Sequence, residues 1–143
     1  WWSICFSGFA ASQIMGSFFA GWLVDRISAR RIAPFVLLPF AGSLAVLGLS
    51  EGDYWALGVL TLMGLSAGAS NPTFSSLWAE LYGTEHLGAI RAAGAVLSVF
   101  ASALGPVFVG WALDEKVSML TISTISIAIT LLTCGLAAIG LRR

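Results

Sequence analysis

Charge is the property that this chain has least of. Only 10% of its residues are Asp, Glu, Lys or Arg, whereas 58% are hydrophobic, and the mean hydropathy is +0.92. A soluble domain carries about 25% charged residues. So little polar surface cannot cover a globule that faces water, and the composition therefore predicts an integral membrane protein. The formal net charge is zero, which gives no indication of a nucleic-acid partner.

Residues that bind metals or carry out covalent chemistry are also scarce. The chain has one His and two Cys, and it contains neither a phosphate-binding loop with a Lys nor an HExxH motif. A single His with no neighbouring Cys disfavours a metal site. Cys5 and Cys134 lie in apolar runs at opposite ends of the chain, which favours free thiols over a disulfide. We therefore expect no enzyme activity, no cofactor and no metal.

Five uncharged stretches, separated by short charged segments, make up most of the sequence. They are residues 1–24, 32–50, 54–79, 92–113 and 117–141. A membrane-spanning helix needs about 20 residues, and the stretches lack the strict alternation of membrane strands. Helices also pair their own backbone groups within lipid. The sequence predicts an all-α membrane bundle of five helices, and its start within an apolar run suggests a piece of a longer protein.

Basic residues are divided unequally between the two ends of these helices. One side carries six of them, and the other carries only Lys116. The six are Arg26, Arg30, Arg31, Arg91, Arg142 and Arg143. The positive-inside rule places the six-residue side in the cytoplasm, together with the C-terminus.

Small residues at four-residue spacing predict which helices approach closely, because helices in lipid gain little from hydrophobicity against each other. The first stretch has Gly8, Ser12, Gly16 and Ala20 at this spacing, and the third has Gly64 and Gly68. The fourth has Gly94, Ser98, Ser102, Pro106 and Gly110. We expect these three stretches to form an inner layer, with the second and fifth outside against lipid. The alternative is that glycines are simply common in membrane helices.

Prolines interrupt two of the proposed inner helices. Pro72 cannot donate to the carbonyl of Gly68, and Pro106 cannot donate to that of Ser102. A carbonyl freed in this way within a membrane needs a neighbouring group, a hydroxyl or water. The prolines indicate bends with a polar lining, although an ordinary kink without a ligand explains each one equally well. Pro34 is expected to open the second helix, where a missing N–H costs little.

The segment GWLVDRISARR, residues 21–31, places four charges within seven residues. Gly21 lets the end of the first helix lie close to a neighbour, and Asp25 can face the positive N-terminus of another helix. The arginines can pair with carboxylates or anionic headgroups. Fixing the topology would explain the arginines alone, but it would not explain Asp25 four residues after Gly21.

This segment resembles the loop signature G-x-x-x-D-R-x-G-x-R-R of the major facilitator superfamily. Ser28 replaces the second Gly, which suits the less strict copy of the signature between helices eight and nine. The later segment LWAELYGTEHLGAIRAAGAVL is similar to helix ten, the following loop and the start of helix eleven in bacterial members. The resemblance implies a partial C-terminal domain over residues 1–143, helices eight to twelve, in a bacterial inner membrane, with the N-terminal half of the same chain as its missing partner.

The resemblance also implies transport of a small solute by alternating access, in which cytoplasmic charges form a latch between two bundles. Asp25 would meet a helix of the missing half, Arg26 and Arg30 would pair with Glu80, and Arg91 would close the network. The residues implied in this latch are Gly21, Asp25, Arg26, Arg30, Arg31, Glu80 and Arg91.

In this family, helices seven, eight, ten and eleven line the central cavity. The implied cavity residues here are Ser12, Gln13, Ser66, Ser70, Asn71, Ser98 and Ser102. Gln13 is the most polar residue in the middle of its span, where a helix–helix hydrogen bond explains it equally well. No charged residue lies mid-span, which favours an uncharged or amphipathic solute. The second hypothesis is a five-helix membrane subunit that carries no solute.

Overall fold

The computed structural model describes residues 1–49 and 55–141, and every regular element within these ranges is helical. The helices are α1 (Trp2–Ile27), α2 (Ala29–Ile32), α3 (Leu38–Leu49), α4 (Trp55–Tyr82), α5 (Leu87–Asp114) and α6 (Met119–Gly140), with a 3-10 turn, Ala33–Phe35, between α2 and α3. The prediction of an all-α chain is confirmed. The predicted charged loop at 51–53 and the terminal arginines lie outside the described residues.

Four segments of the described chain are long and apolar enough to cross a membrane. They are Trp2–Ile27, Ala29–Leu49, Leu87–Asp114 and Met119–Gly140. Helix α4 is as long as α5, at 28 residues, but its Gly, Ser, Asn and Thr residues make it less apolar. Both α1 and α3 pack on α4, so this more polar helix is the one that the other helices cover.

Helices α1 and α4 form the closest pair in the structure, and they meet at buried glycines. A Cβ atom added to Gly64 would meet the backbone of Phe9, and one added to Gly68 would meet the backbone of Gln13. On the opposite side of the contact, a Cβ on Gly16 would meet the backbone of α4. The predicted association of the first and third stretches is therefore a backbone-to-backbone contact that only Gly permits.

Helix α5 does not belong to this layer, so the inner-layer prediction is wrong for the fourth stretch. None of its residues is buried, and an added Cβ on Gly94 or Gly110 would meet no described atom within 4 Å. The second stretch, predicted to lie outside, is the most buried of the four apolar spans and packs between α4 and α6. Small residues permit close approach but do not choose the partner, and the glycine face of α4 is already occupied by α1.

The carbonyl freed by Pro72 finds its donor in another helix. Pro72 lies inside α4 and has no N–H for the carbonyl of Gly68. Ser17 Oγ of α1 donates to that carbonyl at 3.0 Å. The sequence predicted the need for a partner, but it did not single out Ser17, because nothing in the local pattern shows which helix faces the proline.

Pro34 does not open the second helix as predicted. Helix α2 begins earlier, at Ala29, and Pro34 lies in the 3-10 turn that separates α2 from α3. A hydroxyl from α4 reaches this irregular segment, since Ser66 Oγ donates to the carbonyl of Val36 at 2.8 Å. The second span is thus a broken helix whose interruption is tied to α4.

We predict that Gly68→Ala destabilises the full-length protein by about 1–3 kcal/mol, because the new methyl group would overlap the backbone of Gln13 and force α1 away from α4. The matched control is Gly105→Ala in α5, where nothing lies within 4 Å of the added atom. Thermal unfolding in detergent measures both variants. Equal midpoints for the two variants would contradict the close α1–α4 contact.

A double-mutant cycle tests the bond between Ser17 and the carbonyl of Gly68. Ser17→Ala should cost about 0.5–1.5 kcal/mol of stability, the range of hydrogen bonds between membrane helices. In a Pro72→Ala background, the restored N–H can serve this carbonyl within α4, so Ser17→Ala should cost measurably less. Ser7→Ala is the control, because its hydroxyl is exposed and bonds only to Ser3 of its own helix. If Ser17→Ala lowers the stability equally in both backgrounds, the hydrogen bond of Ser17 does not compensate for the missing N–H of Pro72.

Candidate functional site

The hairpin of residues 21–31 turns sharply at Ser28, the one residue between α1 and α2. Ser28 has φ 102° and ψ 138°, which places it in the positive-φ region that favours glycine. Its N–H donates to the carbonyl of Val24 at 3.1 Å and closes the end of α1. The turn therefore requires a backbone conformation that glycine adopts without strain. Glycine is also the residue that the loop signature has at this position.

The carboxylate of Glu80, near the end of α4, accepts three hydrogen bonds from the hairpin. Ser28 Oγ donates to Oε2 at 2.9 Å and the N–H of Ala29 donates to Oε1 at 2.8 Å. The N–H of Arg30 donates to Oε2 at 3.3 Å. These N–H groups belong to the first turn of α2, which has no side-chain cap of its own. Glu80 therefore caps α2 from a different helix.

Arg30 in turn donates a hydrogen bond to the end of α4. Its Nη2 donates to the main-chain carbonyl of Glu80 at 3.1 Å. Carbonyls in the last turn of a helix have no partner within that helix. The Glu80 clamp, formed by Ser28, Ala29, Arg30 and Glu80, thus satisfies the start of α2 and the end of α4 together.

The electrostatics of the clamp favour the ionised form of Glu80, which lies just beyond the apolar stretch 54–79. Burial raises the pKa of Glu80, but the hydrogen bonds from Ala29, Ser28 and Arg30 and the charge of Arg30 lower it further, so the pKa lies below its ordinary value of 4.5. Because the folded pKa is depressed, the clamp stabilises the fold fully above pH 4.5 and is lost as the pH falls through the lowered pKa. It is intact at neutral pH.

An apolar cluster supports the clamp from within the protein. Ala29, Ala33 and Leu77 are buried against each other, and Val24 and Leu141 pack on them. This cluster joins the hairpin to α4 and to the residue that follows α6. The hairpin is consequently fixed to the ends of three helices.

The remaining residues of the implied latch are placed apart from the clamp. The Arg26 guanidinium lies 4.6 Å from the ring centroid of Trp22, and this contact takes the place of the predicted pair with Glu80. Asp25, Arg26 and Arg31 are exposed. Arg91 lies on α5, away from the clamp, and lines a groove. An added Cβ on Gly21 would meet nothing within 4 Å of it.

This inner groove lies between α4 and α5 and encloses about 510 Å³. Of the implied cavity residues, Ser70, Asn71 and Ser98 line it, and Trp78 and Arg91 join them. Serine hydroxyls, an amide, an indole ring and one guanidinium thus converge, and no carboxylate is among the lining residues. The arrangement suits an uncharged or anionic solute that has both polar and apolar parts.

The other implied cavity residues serve the helices themselves. Ser12 is buried at the α1–α4 contact and its hydroxyl bonds to carbonyls of its own helix, as does that of Ser102 in α5. Ser66 supports the turn between α2 and α3, as described above. Gln13 contributes its backbone to the contact with Gly68. The groove therefore includes three of the seven implied cavity residues, Ser70, Asn71 and Ser98.

Ser75 and Trp78 line the groove but were not among the cavity residues that the sequence implied. Their spacing from Asn71, at four and seven residues, places all three on one face of α4. That periodicity was the available signal. Among the residues that the structure describes, no group of three or more His, Cys, Asp or Glu residues could hold a metal ion.

We predict that Ser28→Gly is more stable than Ser28→Ala by about 1 kcal/mol, because both lose the bond to Glu80 but only Gly relieves the positive φ. At Ser7, within α1, the order should reverse, since Gly costs about 1 kcal/mol relative to Ala in a helix interior. Thermal unfolding of the four variants decides. The same order at both positions would contradict the conformation of the turn.

Comparison with known proteins found a family match. A family model described as Major Facilitator Superfamily matches residues 2–143. Comparison with the curated proteins and with the solved structures gave no match. The family match covers nearly the whole chain and includes the hairpin, the Glu80 clamp and both walls of the inner groove, so the chain belongs to the major facilitator superfamily.

Proposed function

We propose that the full-length protein moves a small solute across a membrane by alternating access, as a secondary transporter. The observation that carries the proposal is the match of the whole chain to this transporter family. The chain would supply helices eight to twelve of the C-terminal half, with its C-terminus in the cytoplasm of a bacterium. The distribution of basic residues supports this orientation.

The hairpin would act as the cytoplasmic latch, and the Glu80 clamp would hold it in position. The clamp holds the hairpin rigidly on its own bundle, so the charges that it leaves exposed are available to the other bundle. Asp25 and Arg26 are such charges. An exposed ion pair contributes about 0–1 kcal/mol, so the latch requires several contacts that act together. Asp25 would face a helix N-terminus of the other half.

The inner groove would form part of the solute site. Trp78 offers an aromatic face, while Asn71 and Ser98 offer hydrogen bonds, so an amphipathic solute fits its lining. Binding shifts the equilibrium between the two states only if the solute binds one of them more tightly. Closure of α5 towards α4 would change the width of this groove, and this is the differential contact that we propose.

The latch is tested by Asp25→Asn in the full-length protein, reconstituted into proteoliposomes and assayed for solute uptake. We expect transport to fall about fivefold or more, within the range of coupling between sites, while membrane insertion stays intact. The matched control is Asp114→Asn, an exposed residue at the far end of α5.

Unchanged uptake kinetics for Asp25→Asn at equal expression would contradict the latch. If the unaltered protein carries none of a panel of neutral, amphipathic and anionic solutes, the proposal of transport fails and the non-transporting membrane subunit becomes the better account.

A further inference from the structure

A second groove lies on the outer side of the hairpin and shares no residue with the inner groove. This outer groove encloses about 560 Å³ between the second span and the end of α6. Its polar wall consists of Ser28, Arg30 and Arg31, and its apolar wall includes Pro34, Phe35 and Leu141.

The polar wall has unused capacity to bind an anion. Arg31 is exposed, and although its backbone N–H donates to the carbonyl of Ser28, its guanidinium has no hydrogen-bond or ion-pair partner within residues 1–49 and 55–141. Arg30 uses Nη2 for the carbonyl of Glu80, which leaves its other N–H groups available. The carboxylate of Glu80 is already engaged in the clamp, and no acidic residue is among the described residues that line the groove. Two adjacent guanidinium groups without a carboxylate match a phosphate.

The apolar wall limits which phosphate-containing molecules fit the groove. The side chain of Phe35 is 63% exposed although it belongs to an apolar span, and it lies on the same groove as the two arginines. The groove opens at the end of the spans, where headgroups lie, and the chain continues from Leu141 with two further arginines. A ligand that fits both walls has a phosphate at the membrane boundary and a hydrocarbon body beside it.

We propose that the outer groove binds the headgroup phosphate of an anionic phospholipid through Arg30 and Arg31, with the lipid body against Phe35. The site requires only that the chain is embedded in a bilayer, and it does not depend on solute transport. Basic pockets of this kind between membrane helices bind anionic headgroups in other membrane proteins.

The test is native mass spectrometry of the full-length protein in detergent with added phosphatidylglycerol. Arg31→Gln should lower the retained phosphatidylglycerol about fivefold, the effect of one basic residue near an anionic surface. Arg31→Lys should retain more of it than Arg31→Gln does. The matched control is Arg26→Gln, which removes the same charge from the same hairpin but does not line the groove and should retain the lipid.

Equal loss of lipid in Arg26→Gln and Arg31→Gln would show that lipid binding depends only on the total positive charge of the hairpin. That result would overturn the proposed site. Retention of phosphatidylcholine at the same level as phosphatidylglycerol would overturn the requirement for an anionic headgroup. Displacement of the lipid by millimolar inorganic phosphate would assign the arginines to a free anion. Because the readout is lipid binding, its outcome is separate from that of the transport assay.

Discussion

The bond between the Glu80 carboxylate and the first N–H groups of α2 is the interaction on which the hairpin depends. A helix that starts immediately after another helix ends leaves its first N–H groups without partners, and at the edge of a membrane these groups are costly to leave unpaired. Glu80 supplies the acceptor from α4, and Arg30 supplies a donor in return. The positive φ of Ser28 brings the two ends together.

The clamp also forms part of one wall of the outer groove, because Ser28 and Arg30 belong to both. Arg31 lines the same wall and is exposed. Asp25 and Arg26 lie on the preceding turn and remain exposed. The hairpin therefore carries one charge that joins helices of its own bundle, that of Arg30, and other charges that stay exposed.

The contact between α1 and α4 shows a similar dependence of one feature on another. Ser17 can reach the carbonyl that Pro72 leaves free only because the glycines let the two backbones approach. The carbonyl that the proline leaves free and the glycine contact are consequently parts of one arrangement. A larger residue at Gly68 would remove both the packing and the hydrogen bond.

The sequence by itself determined that the chain is helical, where the charged hairpin lies and to which family the chain belongs. These properties depend on local hydropathy and on residue spacing, which a single chain shows directly. The signature also marked the place of Ser28 as a glycine position, and the positive φ of Ser28 explains that preference.

Only the tertiary structure decided the partners. It placed α3 between α4 and α6, left α5 without a buried residue, joined Arg26 to Trp22, and gave Glu80 to the backbone of α2. Small and polar residues indicate that a helix packs against a neighbour. Which helix becomes that neighbour depends on the faces that meet in the folded bundle. Ser17 and Trp78 have their roles because of residues that lie far from them in sequence. A local sequence pattern cannot show such long-range contacts.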